Sequence, residues 1–286
     1  MIDETVEQIE DMRTHSSSEV AIIAVEALRK IDDRDYATVE EFLRSLTRNC
    51  RTLRQADPSH ASLYNATKAV ERSVTEADPA SVEEAKTATL AAIDDEVASI
   101  TQAKERAAEK AAQLIEPGGT YLTIDYSTTL LEALNRADLD PSDPAVFYTM
   151  EARPRFLGRK LARELADVEG VEPRLIVDSA QGAIIDNCDA VLIGFTCVVD
   201  DTLYNRVGTY PTALAADAND VDMYALGADG KIVDEAFVFS SEDRPTSEVS
   251  LEPLDAVVIE NHSYDATPVS LLEAVITGDG FRFSDD

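Results

Sequence analysis

Apolar positions recur every three or four residues through the first third of the chain, and in short unbroken runs after it. The first pattern is that of amphipathic helices and the second that of buried strands. Helices are expected over AIIAVEALRKI (21–31), TVEEFLRSLTRNCRTLRQ (38–55) and SLYNATKAVERSV (62–74). Ser16 and Glu19 have the spacing of a capping box ahead of the first. A long helix should follow Pro79, with Leu90, Ile93, Val97, Ile100, Ala107, Ala111 and Leu114 along one face.

Pro117-Gly118-Gly119 breaks that helix, and the period changes beyond it. The runs YLTI (121–124), AVFYTM (145–150), RLIV (174–177), AVLIG (190–194), DMYAL (222–226) and AVVI (256–259) read as strands. They alternate with helical patterns at TTLLEALNRA (128–137), GRKLARELADV (158–168), TYPTALAADA (209–218) and VSLLEAVI (269–276). Such alternation implies βαβ units and a parallel sheet. The fold class expected is α/β: a helical N-terminal domain over residues 1–112, then a Rossmann-like domain over 113–286.

Charge changes this picture most. Acidic residues outnumber basic ones by 56 to 25, a net charge of −31. The acids are spread along the whole chain, as expected of a protein from a high-salt cytoplasm, where salt screens self-repulsion. Nucleic acid is disfavoured as a partner, because phosphate neutralisation needs clustered Lys and Arg. Cys50, Cys188 and Cys197 are scattered and form no disulfide framework, and with histidines at His15, His60 and His262 a His-rich metal site is not expected. No apolar stretch reaches the roughly 20 residues that span a bilayer. No P-loop or dinucleotide fingerprint is present, so no cofactor is expected.

Six short motifs carry the candidate chemistry. They are YLTIDYS (121–127), EARPRFLGR (151–159), LIVDSAQG (175–182), DAVLIG (189–194), NRVGTY (205–210) and YDATP (264–268). The first, third and fourth run from an apolar strand into a polar or glycine-bearing turn. In an open α/β sheet, ligands bind outside the carboxyl ends of the strands. Those turns nominate Asp125, Asp178 and Ser179. Two carboxylates close together would push one pKa upward, so Asp125 and Asp178 are the catalytic candidates if the chain is an enzyme. Helix capping is the alternative role for both.

In order and in content, the motifs resemble the family that holds the alpha, beta and delta subunits of translation initiation factor 2B. Methylthioribose-1-phosphate isomerase and archaeal ribose-1,5-bisphosphate isomerase belong to the same family. NRVGTY is similar to its Asn-Lys-Ile-Gly-Thr-Tyr, EARPR to its Glu-Thr-Arg-Pro and YDATP to its Phe-Asp-Val-Thr-Pro. The resemblance implies a ligand cleft near Arg153, with Asn205 and Arg206 at the substrate phosphate and hydroxyls. Asp265 should fix the turn after the C-terminal strand.

The resemblance also exposes departures. Family isomerases place a cysteine where Asp125 stands and an aspartate where Thr196 stands. Their N-terminal Arg-Gly-Ala turn has no counterpart at His15-Ser16-Ser17, and Arg13 comes two residues too early. Cys197 is expected to be a core thiol. The reading is therefore a regulatory or ligand-binding protein, taking a phosphorylated small molecule or an initiation factor subunit through Arg153, Ser179, Thr196, Asn205 and Arg206. An aldose–ketose isomerase acting on ribose 1,5-bisphosphate or a related sugar phosphate is the alternative. Self-association as a homodimer or larger homo-oligomer is implied, with no membrane.

Overall fold

The computed structural model describes residues 2–10, 17–233, 237–241, 243–252 and 254–283. Arg13, His15 and Ser16, and with them the capping box and the N-terminal phosphate turn, lie outside the described residues. The chain forms two compact units, residues 1–103 with 230–239, and 104–229 with 240–286.

The first unit holds α1 (Asp3–Glu10), α2 (Ser17–Ala27), α3 (Val39–Ala56), α4 (Ala61–Glu76) and the start of α5 (Val82–Ala112). The reason α3 is a helix is legible in it. Thr38 accepts a hydrogen bond from Glu41 N, and the Glu41 carboxylate accepts one from Ala37 N, a reciprocal cap. Phe42, Leu46, Cys50 and Leu53 then fall on one buried stripe. They pack with Leu28, Ile31, Leu63 and Val70 into the core of this unit.

The second unit is built on a seven-stranded sheet. Its elements are β1 (Thr120–Thr123), α6 (Thr128–Leu134), β2 (Ala145–Met150), α7 (Leu157–Leu165), β3 (Val171–Ile176), β4 (Ala190–Gly194), β5 (Cys197–Val199), β6 (Thr202–Arg206), α8 (Thr209–Asp217) and β7 (Asp222–Leu226). Strand β8 (Ile232–Val233) belongs to the segment assigned to the first unit. The chain then supplies β9 (Tyr264–Pro268), β10 (Ala274–Thr277) and β11 (Gly280–Arg282). The sheet order is β11-β10-β7-β4-β1-β2-β3, parallel throughout except for the β10–β11 hairpin. In order of appearance the six parallel strands read 6-5-4-1-2-3, the Rossmann arrangement, which reverses direction between β1 and β4. An antiparallel layer of β5, β6 and β9 adjoins it.

Two sequence expectations fail here. AVVI forms no strand: Ala256 adopts a left-handed φ of 61°, and Val257 and Val258 are exposed. VSLLEAVI forms no α-helix. It makes a single 3-10 turn at Val269–Leu271 and then β10, whose residues are all buried. A short apolar run fits a two-faced buried strand as well as a helix, and the vacant position beside β7 decides it.

Candidate functional site

The cleft lies at the carboxyl end of the sheet, within the second unit. It is lined by Asp125, Ala152–Arg155, Leu157, Arg206, Val207, Arg244, Glu248 and Asn261–Ser263. Three turns of the sheet layer and one long excursion, described over residues 243–252 and 254–263, supply these side chains.

Asp125 follows β1 at the point where the strand order reverses, with φ at 67°. Ser127, not Asp125, caps α6: its Oγ accepts from Leu130 N at 3.2 Å. Asp125 is thereby left free of the capping role. Its Oδ2 lies 3.6 Å from Arg206 Nε. Burial pushes its carboxyl up from the usual value, while Arg206, the Tyr126 backbone and Arg155 pull against that shift without cancelling it.

Arg206 ends β6, and its guanidinium stands 4.6 Å from the Tyr264 ring centroid. Gly208 follows at φ 103°, and a Cβ there would come within 2.6 Å of Ile124 Cδ1. Glycine therefore lets the NRVGTY turn press against the end of β1 and bring Arg206 to Asp125. Asp265 Oδ2 accepts from Gly208 N at 2.7 Å and from Tyr210 N at 3.1 Å, which fixes the same turn.

Asp178 is not a second cleft carboxylate. Its two oxygens accept from Ala152 N and Arg153 N, each at 2.8 Å. It neither caps the 3-10 turn that begins with it nor lines the cleft. Its effect is to hold the turn after β2, where Ala152 and Phe156 both take a φ of 58°. That turn presents Arg153 and Arg155. Arg153 is exposed, stands 5.0 Å over the Phe156 ring and donates to Val249 O at 3.0 Å. Arg155 points inward, and its Nη1 is buried with no hydrogen-bond partner. Burial, then Arg206 and Arg244, push its guanidinium below its usual pKa.

The remaining expected ligand residues sit elsewhere. Ser179 is exposed outside the cleft. Thr196 donates its N–H to Tyr204 O at 3.1 Å as β5 begins, and is not among the residues that line the cleft. Asn205 is buried, and its Nδ2 donates to Thr209 Oγ1 at 3.1 Å, a structural role at the start of α8. Alternation along β6 explains this: Asn205 and Arg206 point to opposite faces. Cys197 is fully buried on β5.

Sequence reasoning missed Arg244, Glu248, Asn261, His262 and Ser263. Glu248 pairs with Arg244 at 2.9 Å and accepts from Asn261 Nδ2 at 3.1 Å. Burial alone would raise the Glu248 carboxyl, but Arg244, Asn261 and Arg155 outweigh it and hold it low. His262 lies on the rim, 2.7 Å from Asp243, and that contact raises its pKa. These residues sit in a stretch without periodicity. Its one legible signal was an arginine and a glutamate four residues apart in an otherwise acidic loop. Among the described residues no group of three or more His, Cys, Asp or Glu could hold a metal ion, and no helix is long and apolar enough to cross a membrane.

Comparison with known proteins places the arrangement. The chain is 28% identical over 284 residues to the ribose 1,5-bisphosphate isomerase of Methanocaldococcus jannaschii, covering 97% of this chain and 90% of that one. It is 27% identical over 285 residues to the protein of that name from Haloferax volcanii, covering 96% and 87%. Among solved structures, the translation initiation factor eIF-2B of Pyrococcus horikoshii OT3 superposes with a TM-score of 0.79 at 22% identity. That match covers 98% of this chain and 96% of the other. The family model described as the Initiation factor 2 subunit family matches residues 13–282, and the chain belongs to that family.

Proposed function

We propose that this protein binds a phosphorylated sugar in the cleft and isomerises it between aldose and ketose forms, with ribose 1,5-bisphosphate as the first candidate. The observation that carries this reading is a largely buried carboxyl, Asp125, 15% exposed, set beside Arg206 in a cleft that gathers four arginines in a chain of net charge −31. In so acidic a molecule a concentration of guanidinium groups is a specific arrangement, and guanidinium is the side chain best matched to phosphate.

Isomerisation moves a proton from one sugar carbon to its neighbour. It also moves the proton of the hydroxyl that becomes the carbonyl to the ring oxygen that the neighbouring carbon releases, and leaves the overall oxidation state of the substrate unchanged. One group can do both halves of the carbon-to-carbon transfer if its acid and base forms are both accessible. Burial moves Asp125 in that direction. Arg206, beside it, is positioned to stabilise negative charge on the sugar oxygens as the proton leaves. Asp125 would thus act where family isomerases resemble this segment but carry cysteine. The near full-length similarity to proteins named ribose 1,5-bisphosphate isomerase favours this reading over the binding-only one.

A second reading is kept because Thr196 stands where family isomerases carry an aspartate, and it is not among the residues that line the cleft. In that reading the protein binds the ligand without turnover and works as a subunit of a larger assembly. Exposed Leu175, Val177, Tyr210, Leu214 and Leu251 supply apolar surface for self-association.

Turnover of ribose 1,5-bisphosphate, followed by NMR in high-salt buffer, separates the two. Product formation that Asp125→Asn abolishes, with the fold intact, supports the isomerase. Binding without product selects the second reading. Absence of both binding and turnover overturns the sugar-phosphate assignment.

A further inference from the structure

Among the described residues, seven buried side-chain polar atoms have no hydrogen-bond partner. Two of them, Arg155 Nη1 and Ser263 Oγ, belong to residues that line the cleft. Thr123 and Thr149, register partners on β1 and β2, carry two of the others and do not line the cleft. A buried polar atom without a protein partner is costly, so an orphan in a cleft marks a place that a water or a ligand atom fills, and a ligand that enters takes it over.

Ser263 is 8% exposed. Its backbone is pinned: its carbonyl accepts from Val207 N at 3.2 Å, and the next residue, Tyr264, pairs with Arg206 across β6 and β9. Its neighbours in the cleft are already satisfied. Asn261 Nδ2 donates to Pro245 O at 2.9 Å and to Glu248, and Glu248 also takes Arg244. The Ser263 hydroxyl is left over from that network, in the same cleft as an unpaired guanidinium N–H.

We propose that Ser263 is a ligand-contacting residue that, together with Arg155, receives the phosphate group of a phosphate monoester. This rests on the sugar-phosphate reading above and adds a residue to it. A guanidinium N–H can only donate, and the serine hydroxyl can donate as well, so the matching group is rich in acceptor oxygens. A phosphate monoester offers three strong acceptor oxygens and the negative charge that the arginine surplus favours. The four arginines of the cleft face two carboxylates, Asp125 and Glu248.

The test is calorimetric titration of the full chain with inorganic phosphate, ribose 1,5-bisphosphate and D-ribose, in wild type and Ser263→Ala, together with the melting temperature of each free protein. The expected result is that Ser263→Ala weakens phosphate and ribose 1,5-bisphosphate about tenfold or more. The free variant should melt at the same temperature or higher, because the orphaned hydroxyl is gone. A serine that served only packing would give the reverse, a lower melting temperature with unchanged affinity, and that result overturns the proposal. Unchanged phosphate affinity in the variant also overturns it while leaving the sugar-phosphate reading intact. Loss of D-ribose binding with phosphate binding preserved would move the contact to a sugar hydroxyl and overturn the phosphate assignment. If wild type binds none of the three, the sugar-phosphate reading itself fails, and this inference with it.

Discussion

Arg206 Nε stands 3.6 Å from Asp125 Oδ2, with the two side chains only 20% and 15% exposed. Two opposite charges taken that far from water lose hydration that their attraction does not fully return. The balance at Asp125 goes against the charged form: burial outweighs Arg206, and the carboxyl titrates above its usual 3.8. The pair is thus better suited to holding a proton in reserve than to holding the fold together.

A stability signature follows from that direction. The folded Asp125 keeps its proton to a higher pH than the unfolded chain does. Its stabilising contribution is therefore complete below the unfolded pKa, near 4, and is lost as pH rises through the folded value. Asp125→Asn removes this titration. The variant should gain stability relative to wild type as pH rises from about 4 toward neutrality, while losing turnover. Urea denaturation of both proteins across that range checks it. A relative loss for the variant with rising pH would mean that Arg206 dominates instead.

Removing the other partner should act in the opposite sense. Arg206→Met leaves Asp125 buried without its nearest cation, which should cost about 3 kcal/mol at neutral pH. The cost should shrink at low pH, where Asp125 is protonated. In Asp125→Asn/Arg206→Met it should fall below the sum of the single changes, and a double-mutant cycle reads that coupling directly. Affinity for inorganic phosphate should drop in both arginine variants.

Asp178 makes a prediction that separates positioning from catalysis. Its carboxylate satisfies two backbone N–H groups in a turn that holds Ala152 at a φ of 58°. Asp178→Ala should cost about 1 kcal/mol, because it orphans the part-buried Ala152 N–H while the exposed Arg153 N–H can turn to water. It should weaken phosphate binding by loosening the Arg153–Arg155 turn. The pH dependence of any turnover should keep its midpoint, since Asp178 does not line the cleft. A shifted midpoint in the pH–rate profile would return Asp178 to the chemistry.

The parts of the fold with a strong period were legible in the sequence, and the parts without one were not. Helix α3 was readable because Thr38, Glu41 and the Phe42–Leu46–Cys50–Leu53 stripe all point to one structure. Six strands of the sheet were expected, and five of them form; the sixth, AVVI, lies in the loop, where nothing pairs with it. At the site, Asp125 and Arg206 were legible because a strand end and a glycine turn announce themselves locally. Arg244, Asn261 and Ser263 were not. They come from an excursion of irregular backbone, and what makes them part of a site is contact across long sequence separation. The partners of Asp178 were illegible for the same reason: they lie 25 and 26 residues earlier, and no local pattern names them.

Glu96 offers a test in the first unit that is independent of the cleft. It lies on α5, and burial pushes its carboxyl up to about 7, with Arg72 only partly opposing the shift. In the unfolded chain it titrates near 4.5. Below that value both states are protonated, and the stabilising contribution of the retained proton is fully present. Between 4.5 and about 7 the unfolded chain releases the proton while the folded one retains it, so stability falls as pH rises through this window. Glu96→Gln should therefore match wild type at pH 4.5 and melt higher at pH 8. The substitution also removes one negative charge from a chain of −31, which by itself would relieve repulsion. Salt distinguishes the two causes. Surface repulsion is screened at high ionic strength, whereas the cost of burying a charge is not. A gain at pH 8 that persists in molar salt identifies desolvation, and a gain that vanishes there would mean that Glu96 is simply one more carboxylate on an acidic surface.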